Sequence, residues 1–187
     1  MSNDVFGTDV FFIKETIERN CELRLKRELD FEKVQSYSLE VQLKAHLSAP
    51  VDKDKMTARL DIAVTDVNDN SPKFIFKYPE NRFTNEKYYA AVAVEAPISS
   101  VVVQVQAKDA DSGPLGQVVY EIVEGTNTGY YLTMERATGT IRTDKMINYS
   151  QLEQRLPLRL TVRARDNPGQ LKGYRETDCQ VIVSSLF

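Results

Sequence analysis

Apolar and polar residues alternate along most of this chain, at the two-residue period that sends successive side chains to opposite faces of a strand. The segment YSLEVQLKAHL sets Leu39, Val41, Leu43, Ala45 and Leu47 in one phase, with polar residues between them. ARLDIAVTDV repeats the period with Leu60, Ile62 and Val64. VVVQVQAKD does so with Val101, Val103 and Val105, and QVVYEI, YYLTME, TGTIRT, LPLRLTVRARD and DCQVIVSS follow. Gly, Pro, Asn and Asp punctuate these runs where the chain must turn. Short alternating strands so spaced predict an all-β fold of the sandwich type. FFIKETIERNCELRLKREL is ambiguous, because its charges also suit a short helix. We read it as two strands around a turn.

The two halves resemble each other. ELRLKRELDFEKVQSYSLEVQLKAH followed by ARLDIAVTDVNDN parallels TIRTDKMINYSQLEQRLPLRLTVRARD followed by DCQVIVSS. Self-similarity at this spacing means two copies of one structural unit. The expected boundaries are residues 1–70 for the end of a first copy and residues 71–187 for a complete second one. A full sandwich of this kind needs about 100 residues. About a third of the first copy is therefore expected to be missing before residue 1.

Composition narrows the function classes. The balance of 24 basic against 27 acidic residues leaves a net charge of −3, with no basic footprint for nucleic acid. Hydrophobic residues at 42 % suffice for real cores. No run approaches the roughly 18 apolar residues of a membrane span. The opening MSNDVFGTDV lacks the pattern of a signal peptide, which says nothing about location. Cys21 and Cys179 sit in no CxxC or zinc spacing, so no disulfide framework is expected. Cys179 is in phase with Val181 and Val183 and reads as a small core residue. His46, on the polar phase of LKAHL, reads as a solvated surface residue rather than a catalytic base.

The candidate chemistry lies in DVNDNSPKF, residues 66 to 74, which crowds Asp66, Asn68, Asp69 and Asn70 into five positions. A polar turn is one reading, because Asp and Asn bond their own backbone. A hard-cation site is the other, since calcium takes six to eight oxygens from carboxylates, Asn side chains and carbonyls. An EF-hand loop is excluded. It needs Gly at its sixth position and Glu at its twelfth, where this chain has Ser71 and Lys77.

DVNDN preceded by LDFE and followed by VEAP, DADSG and RARD resembles the cadherin extracellular repeat, in that order and over essentially the whole chain. The resemblance implies tandem Greek-key, seven-stranded β-sandwiches, the first incomplete, with Ca²⁺ rigidifying the DVNDN linker. It implies Asp30 and Glu32 as ligands from LDFE. From the linker it implies Asp66, Asp69, Asn70 and the backbone carbonyls of Val67 and Asn68. Asp109 and Asp111 come from DAD, Asp166 from RARD, and Leu115 offers a carbonyl where the family often has Asn. Seven carboxylates gathered at one junction would repel one another unless divalent cations neutralised them. Asp109, Asp111, Asp166, Asn70 and the Asn68 carbonyl make up the one position wholly supplied by this chain. The other two want a glutamate from a strand before residue 1.

The far end of the second repeat departs from the pattern. Glu95 of VEAP is kept, but INYS stands where LDFE would recur, placing Asn148 and Ser150 in place of acids. A calcium-free lower junction is expected there. Asn148 also opens an N-x-S/T sequon and is a candidate glycosylation site. The implied function is a calcium-dependent cell-adhesion or mechanical tether segment, with no enzymatic activity. It would lie in the extracellular part of a single-pass plasma-membrane protein. Its partners would be other cadherin chains, homophilic or heterophilic, through the whole protein. No nucleic acid, small-molecule substrate or direct membrane contact is expected of this segment. Adhesive cadherins that swap a terminal strand anchor it with Trp, which is absent here. The calcium-free junction is similar to those of long protocadherins that act as mechanical linkers in sensory hair bundles. The alternatives are a calcium-binding carbohydrate-recognition domain or a β-sandwich associated with glycoside hydrolysis. Paired carboxylates do serve glycosidases, but these acids fall at linker and strand-end positions. A carbohydrate site wants exposed aromatics, and the implied ligands have only Phe31 of LDFE and Phe74 nearby.

Overall fold

Every regular element of the computed structural model, described for residues 8–16, 20–42, 57–76, 87–124, 126, 131–146 and 157–186, is a β-strand. The chain divides into two units, Met1–Asp66 and Val67–Phe187. In the first, β1 (Phe11–Glu15) pairs antiparallel with β2 (Cys21–Leu25), and β3 (Ser36–Gln42) with β4 (Thr57–Ala63). The ambiguous FFIKETIERNCELRL stretch is thus two strands. Its apolar Phe11 explains why: the ring is buried edge-on against Tyr37, with centroids 5.1 Å apart. Leu39 and Val41 are half-buried, whereas Leu23, Leu25 and Leu60 stay exposed. Leu43, Ala45, His46 and Leu47 lie outside the described residues.

The second unit is a two-layer sandwich. Its strands are β5 (Lys73–Phe74), β6 (Lys87–Ala93), β7 (Val101–Gln104), β8 (Ala107–Lys108) and β9 (Val119–Ile122), then β10 (Leu132–Glu135), β11 (Thr140–Thr143), β12 (Leu158–Arg165) and β13 (Glu176–Leu186). One sheet has the order β6-β13-β12-β9 and the other β10-β11-β7, with a short β5-β8 pair beside them. The β6–β13 pairing is parallel, so the first long strand of the unit closes against the last. This order, in which sequence neighbours are often not sheet neighbours, is the crossed connectivity of a Greek-key sandwich.

Alternation builds the core. In β12, Leu158, Leu160, Val162 and Ala164 are all buried, and Cys179, Val181 and Val183 of β13 repeat the phase. They meet Val105, Tyr120, Leu132 and Ile141 from the rest of the unit. The expected Val101-Val103-Val105 face is broken, because Val101 is 58 % exposed while Val105 is fully buried. The register shifts between Ile141 and Arg142 opposite β7, so one residue is inserted and Val101 turns outward. Beside it, Gly139 (φ 69°) lets the backbone approach so closely that a Cβ would sit 2.4 Å from the Val105 carbonyl oxygen.

Two connections position the site described next. The β12–β13 ladder runs from Leu158↔Val183 to Arg165↔Glu176, leaving residues 166–175 as a loop at one end of the sandwich. At the other corner, the Tyr120 hydroxyl accepts from the Ala107 amide at 2.8 Å and tethers β8, which leads directly into Asp109.

Candidate metal centre

Strand β8 ends at Lys108, and the chain turns at once through DADSGPLG. The turn is held by the Asp111 amide, which donates to Asp109 Oδ1 at 2.9 Å. Gly116 closes it against Asp111, with so little room that a Cβ would lie 2.0 Å from the Asp111 carbonyl oxygen. Asp166 enters from the end of β12. One carboxylate oxygen from each of Asp109, Asp111 and Asp166 lies within 4.8 Å of the other two, and all three residues are buried.

Linker residues 67–70 belong to the same unit and join this cluster. The Asn70 side-chain amide donates to Asp111 Oδ1 at 2.6 Å and to Asp69 Oδ1 at 2.9 Å, and its backbone amide points at both Asp111 oxygens at 3.3 Å. The Asn68 side-chain amide donates to Asp166 Oδ1 at 3.1 Å and to the Gly173 carbonyl at 2.8 Å. Each amide is thus oriented nitrogen-first onto a carboxylate or carbonyl, and the Asn68 oxygen is left over. That oxygen, Asp109 Oδ2 and Asp166 Oδ2 are all buried with no hydrogen-bond donor. A buried oxygen without a donor costs about 1–3 kcal/mol, more for a charged one. Asp109 and Asp166 each bring such an oxygen to the carboxylate cluster, Asn68 adds a third from a side chain bonded to Asp166, and such a set wants a cation. The donors are all hard oxygens, which suit calcium rather than a thiolate- or imidazole-seeking metal.

The electrostatics agree. Burial pushes the Asp109 carboxyl above its ordinary value, and the negative charges of Asp111 and Asp166 push the same way. Without a cation, Asp109 therefore binds its proton more tightly folded than unfolded. Its contribution to stability is full below the unfolded value, about 4, and is lost as pH rises through the higher folded value. In a chelating buffer, wild type should thus lose stability relative to Asp109→Asn as pH rises from 4 to 7. Denaturant titrations of the two at several pH values check the sign, and a gap that widens in wild type's favour would contradict it.

The remaining expected ligands fall as follows. Leu115 lies in the 111–116 turn, its amide donating to the Ser112 carbonyl at 3.2 Å. The Val67 carbonyl accepts from the Asp69 amide at 2.8 Å, and the Asn68 carbonyl accepts from Arg175 Nε at 3.0 Å. The oxygen that Asn68 leaves without a donor is thus in its side chain, a distinction that sequence cannot make. In the first unit, Asp30 and Glu32 fall in the turn after β2 rather than on a strand, and Asp66 follows β4. Asp30 is held by Lys33, whose ammonium lies 2.5 Å from Oδ2, and this bond keeps the carboxyl below its usual range. At the opposite end of the second unit, Glu95 is exposed in the turn after β6 with a left-handed φ of 62°. Asn148 and Ser150 lie outside the described residues. Phe74, one of the two aromatics near the linker, packs on the core with its ring edge-on to Tyr88. No helix among the described residues is long and apolar enough to cross a membrane.

Comparison with known proteins gives the family. The cadherin domain matches residues 88–184. Cadherin-99C of Drosophila melanogaster is 33 % identical over 181 residues, 94 % of this chain and 10 % of that protein. Protocadherin Fat 4 of Mus musculus is 32 % identical over 167 residues, covering 88 % of this chain and 3 % of the relative. Human Cadherin-12 is 32 % identical over 181 residues, 95 % of this chain and 20 % of its own length. The chain thus spans only a small part of the curated relatives it matches. Among solved structures, the protocadherin gammaB7 EC3-6 cis-dimer superposes with a TM-score of 0.76 at 22 % identity, covering 97 % of this chain and 40 % of that one. Mouse Cadherin-23 EC22-24 gives 0.69 at 22 % identity, covering 96 % and 50 %. These likenesses carry the sandwich fold, and the sequence matches carry the kinship: the chain belongs to the cadherin family and is built of its extracellular repeats.

Proposed function

We propose that this chain is a calcium-binding segment of a cell-surface cadherin, serving adhesion or a mechanical tether rather than catalysis. The observation that carries the calcium reading is the trio of buried oxygens without donors on Asn68, Asp109 and Asp166. Asp111 supplies further carboxylate charge within the same cluster. When bound, calcium supplies the positive charge that lets these carboxylates stay ionised side by side. The protein's part is to hold the linker. Asn68 and Asn70 are already tied to Asp166 and Asp111, so fixing those carboxylates fixes residues 67–70 on the second unit and stiffens the linker. Asp30, Glu32, Asp66 and Asp69 extend the proposed donor set, with the Val67 and Leu115 carbonyls.

The wider reading follows from the relatives. An extracellular location in a single-pass plasma-membrane protein, with other cadherin chains as partners, is supported by family membership. It is supported also by the likeness to a protocadherin solved as a cis-dimer. A hydrolase or carbohydrate-binding role has no comparable support, since Asp111 and Asp166 already hold the linker amides of Asn70 and Asn68. The test is thermal unfolding of the full chain in EGTA and in calcium. Saturation to 100 times the dissociation constant stabilises by about 2.7 kcal/mol per site, a rise of roughly 10 °C for a unit of this size. An unchanged melting temperature would sink the calcium reading.

A further inference from the structure

The loop that joins β12 to β13 reaches back to the linker, and no motif in the sequence marks it. Beyond the last ladder pair, Arg165↔Glu176, the Asp166 amide donates to the Arg175 carbonyl at 3.1 Å and the Arg175 amide donates to Asp166 Oδ1 at 2.6 Å. That second bond, with the one from the Asn68 side chain, occupies one oxygen of a fully buried carboxylate and leaves the other for the cluster. The same loop grips Asn68 twice: Arg175 Nε donates to its carbonyl at 3.0 Å, and the Gly173 carbonyl accepts from its side-chain amide at 2.8 Å. The loop is itself braced, with the Arg165 guanidinium 4.9 Å over the Tyr174 ring and the Gln170 amide on the Asn167 carbonyl.

From this we propose that the Arg175 side chain is a positioning residue of the cation site, setting its affinity by holding the linker at Asn68, while the Asp166 bonds are made by the Arg175 backbone and survive substitution. The inference rests on the calcium reading above. Two effects of Arg175 oppose each other. Its positive charge near a cation site would weaken binding, while its Nε hydrogen bond would strengthen it by preorganising Asn68, whose side-chain amide in turn holds Asp166 Oδ1. Arg175 is exposed, so its charge acts through water and salt, where even a close pair of charges is worth only about 1 kcal/mol. Loss of a partner that orients a metal ligand typically costs ten- to a hundredfold in affinity. Positioning wins.

The opposed signs make the test sharp. Calcium affinity of the full chain is measured by calorimetry for wild type, Arg175→Ala and Arg175→Lys, with melting in EGTA alongside. Positioning predicts about tenfold weaker binding for Arg175→Ala and partial recovery in Arg175→Lys, with chelated melting temperatures little changed. A charge effect alone predicts tighter binding for Arg175→Ala and no change for Arg175→Lys, and either result overturns the proposal. If Arg175→Ala does not fold, Arg175→Lys decides, since weaker binding supports the clamp and unchanged binding rejects it. Exchange of the Asn68 side-chain amide protons, which bond Asp166 and Gly173, reads the clamp in EGTA without calcium and should quicken in Arg175→Lys; exchange as slow as wild type's would reject it. Wild type failing to bind calcium while its Asn68 side-chain amide stays protected would sink the calcium reading and leave the clamp itself standing.

Discussion

Replacing Asp166 by Asn should strip the second unit of most of its calcium response while leaving its fold intact. The carboxylate is fully buried, and its Oδ1 accepts from the Arg175 amide and the Asn68 side chain. An Asn can keep those two bonds through its own oxygen, but its second position becomes a donor where the cluster needs an acceptor. The charge is lost as well. Removing a ligand should cost at least the ten- to hundredfold that losing an orienting partner costs. At calcium 100 times the wild-type dissociation constant, wild type gains about 2.7 kcal/mol and a hundredfold weaker variant only about 0.4 kcal/mol. Melting in EGTA should move little or rise, because one of three mutually repelling carboxylates has gone. Thermal unfolding with and without calcium checks both halves, and an equal calcium response in Asp166→Asn would contradict the assignment.

Gly116→Ala should do comparable damage by a different route. Its new Cβ would lie 2.0 Å from the Asp111 carbonyl oxygen, well inside any tolerable contact, and the obstacle is backbone rather than a yielding side chain. The turn must open and carry Asp111 with it, and Asp111 is the residue on which both Asn70 amides converge. Overpacking of this kind typically costs 1–3 kcal/mol, lost here with and without calcium. Gly116→Ala should therefore melt lower in EGTA, where Asp166→Asn does not, and should also bind calcium more weakly. A variant that melts with wild type in EGTA would show that the turn yields at no cost.

Much of this was legible in the sequence, for physical reasons that differ by element. The buried faces of β12 and β13 follow from strict alternation, which a strand with one face on the core and the other toward water must keep. Asp109, Asp111 and Asp166 were identified through motif order and do meet in one cluster. Val101 was misplaced because a register shift opposite β7 depends on the partner strand, and no pattern within VVVQVQ reveals it. Asp30 and Glu32 lie in a turn secured by Lys33, whose bonds no pattern within LDFE reveals. Asn68 was expected to act through its carbonyl; that atom accepts from Arg175, and its side chain carries a further oxygen without a donor, which the motif did not mark. Arg175 lies 107 residues from Asn68. Only the β12–β13 hairpin brings them together, so no local signal could have announced the clamp.

The most direct measurement is a crystal structure of the chain grown in calcium. An ion is expected within 2.3–2.6 Å, the usual calcium–oxygen range, of Asp109 Oδ2, Asp166 Oδ2 and Asn68 Oδ1. Well-ordered density showing those three oxygens bonded to water or to donor side chains, with no ion among them, would contradict it.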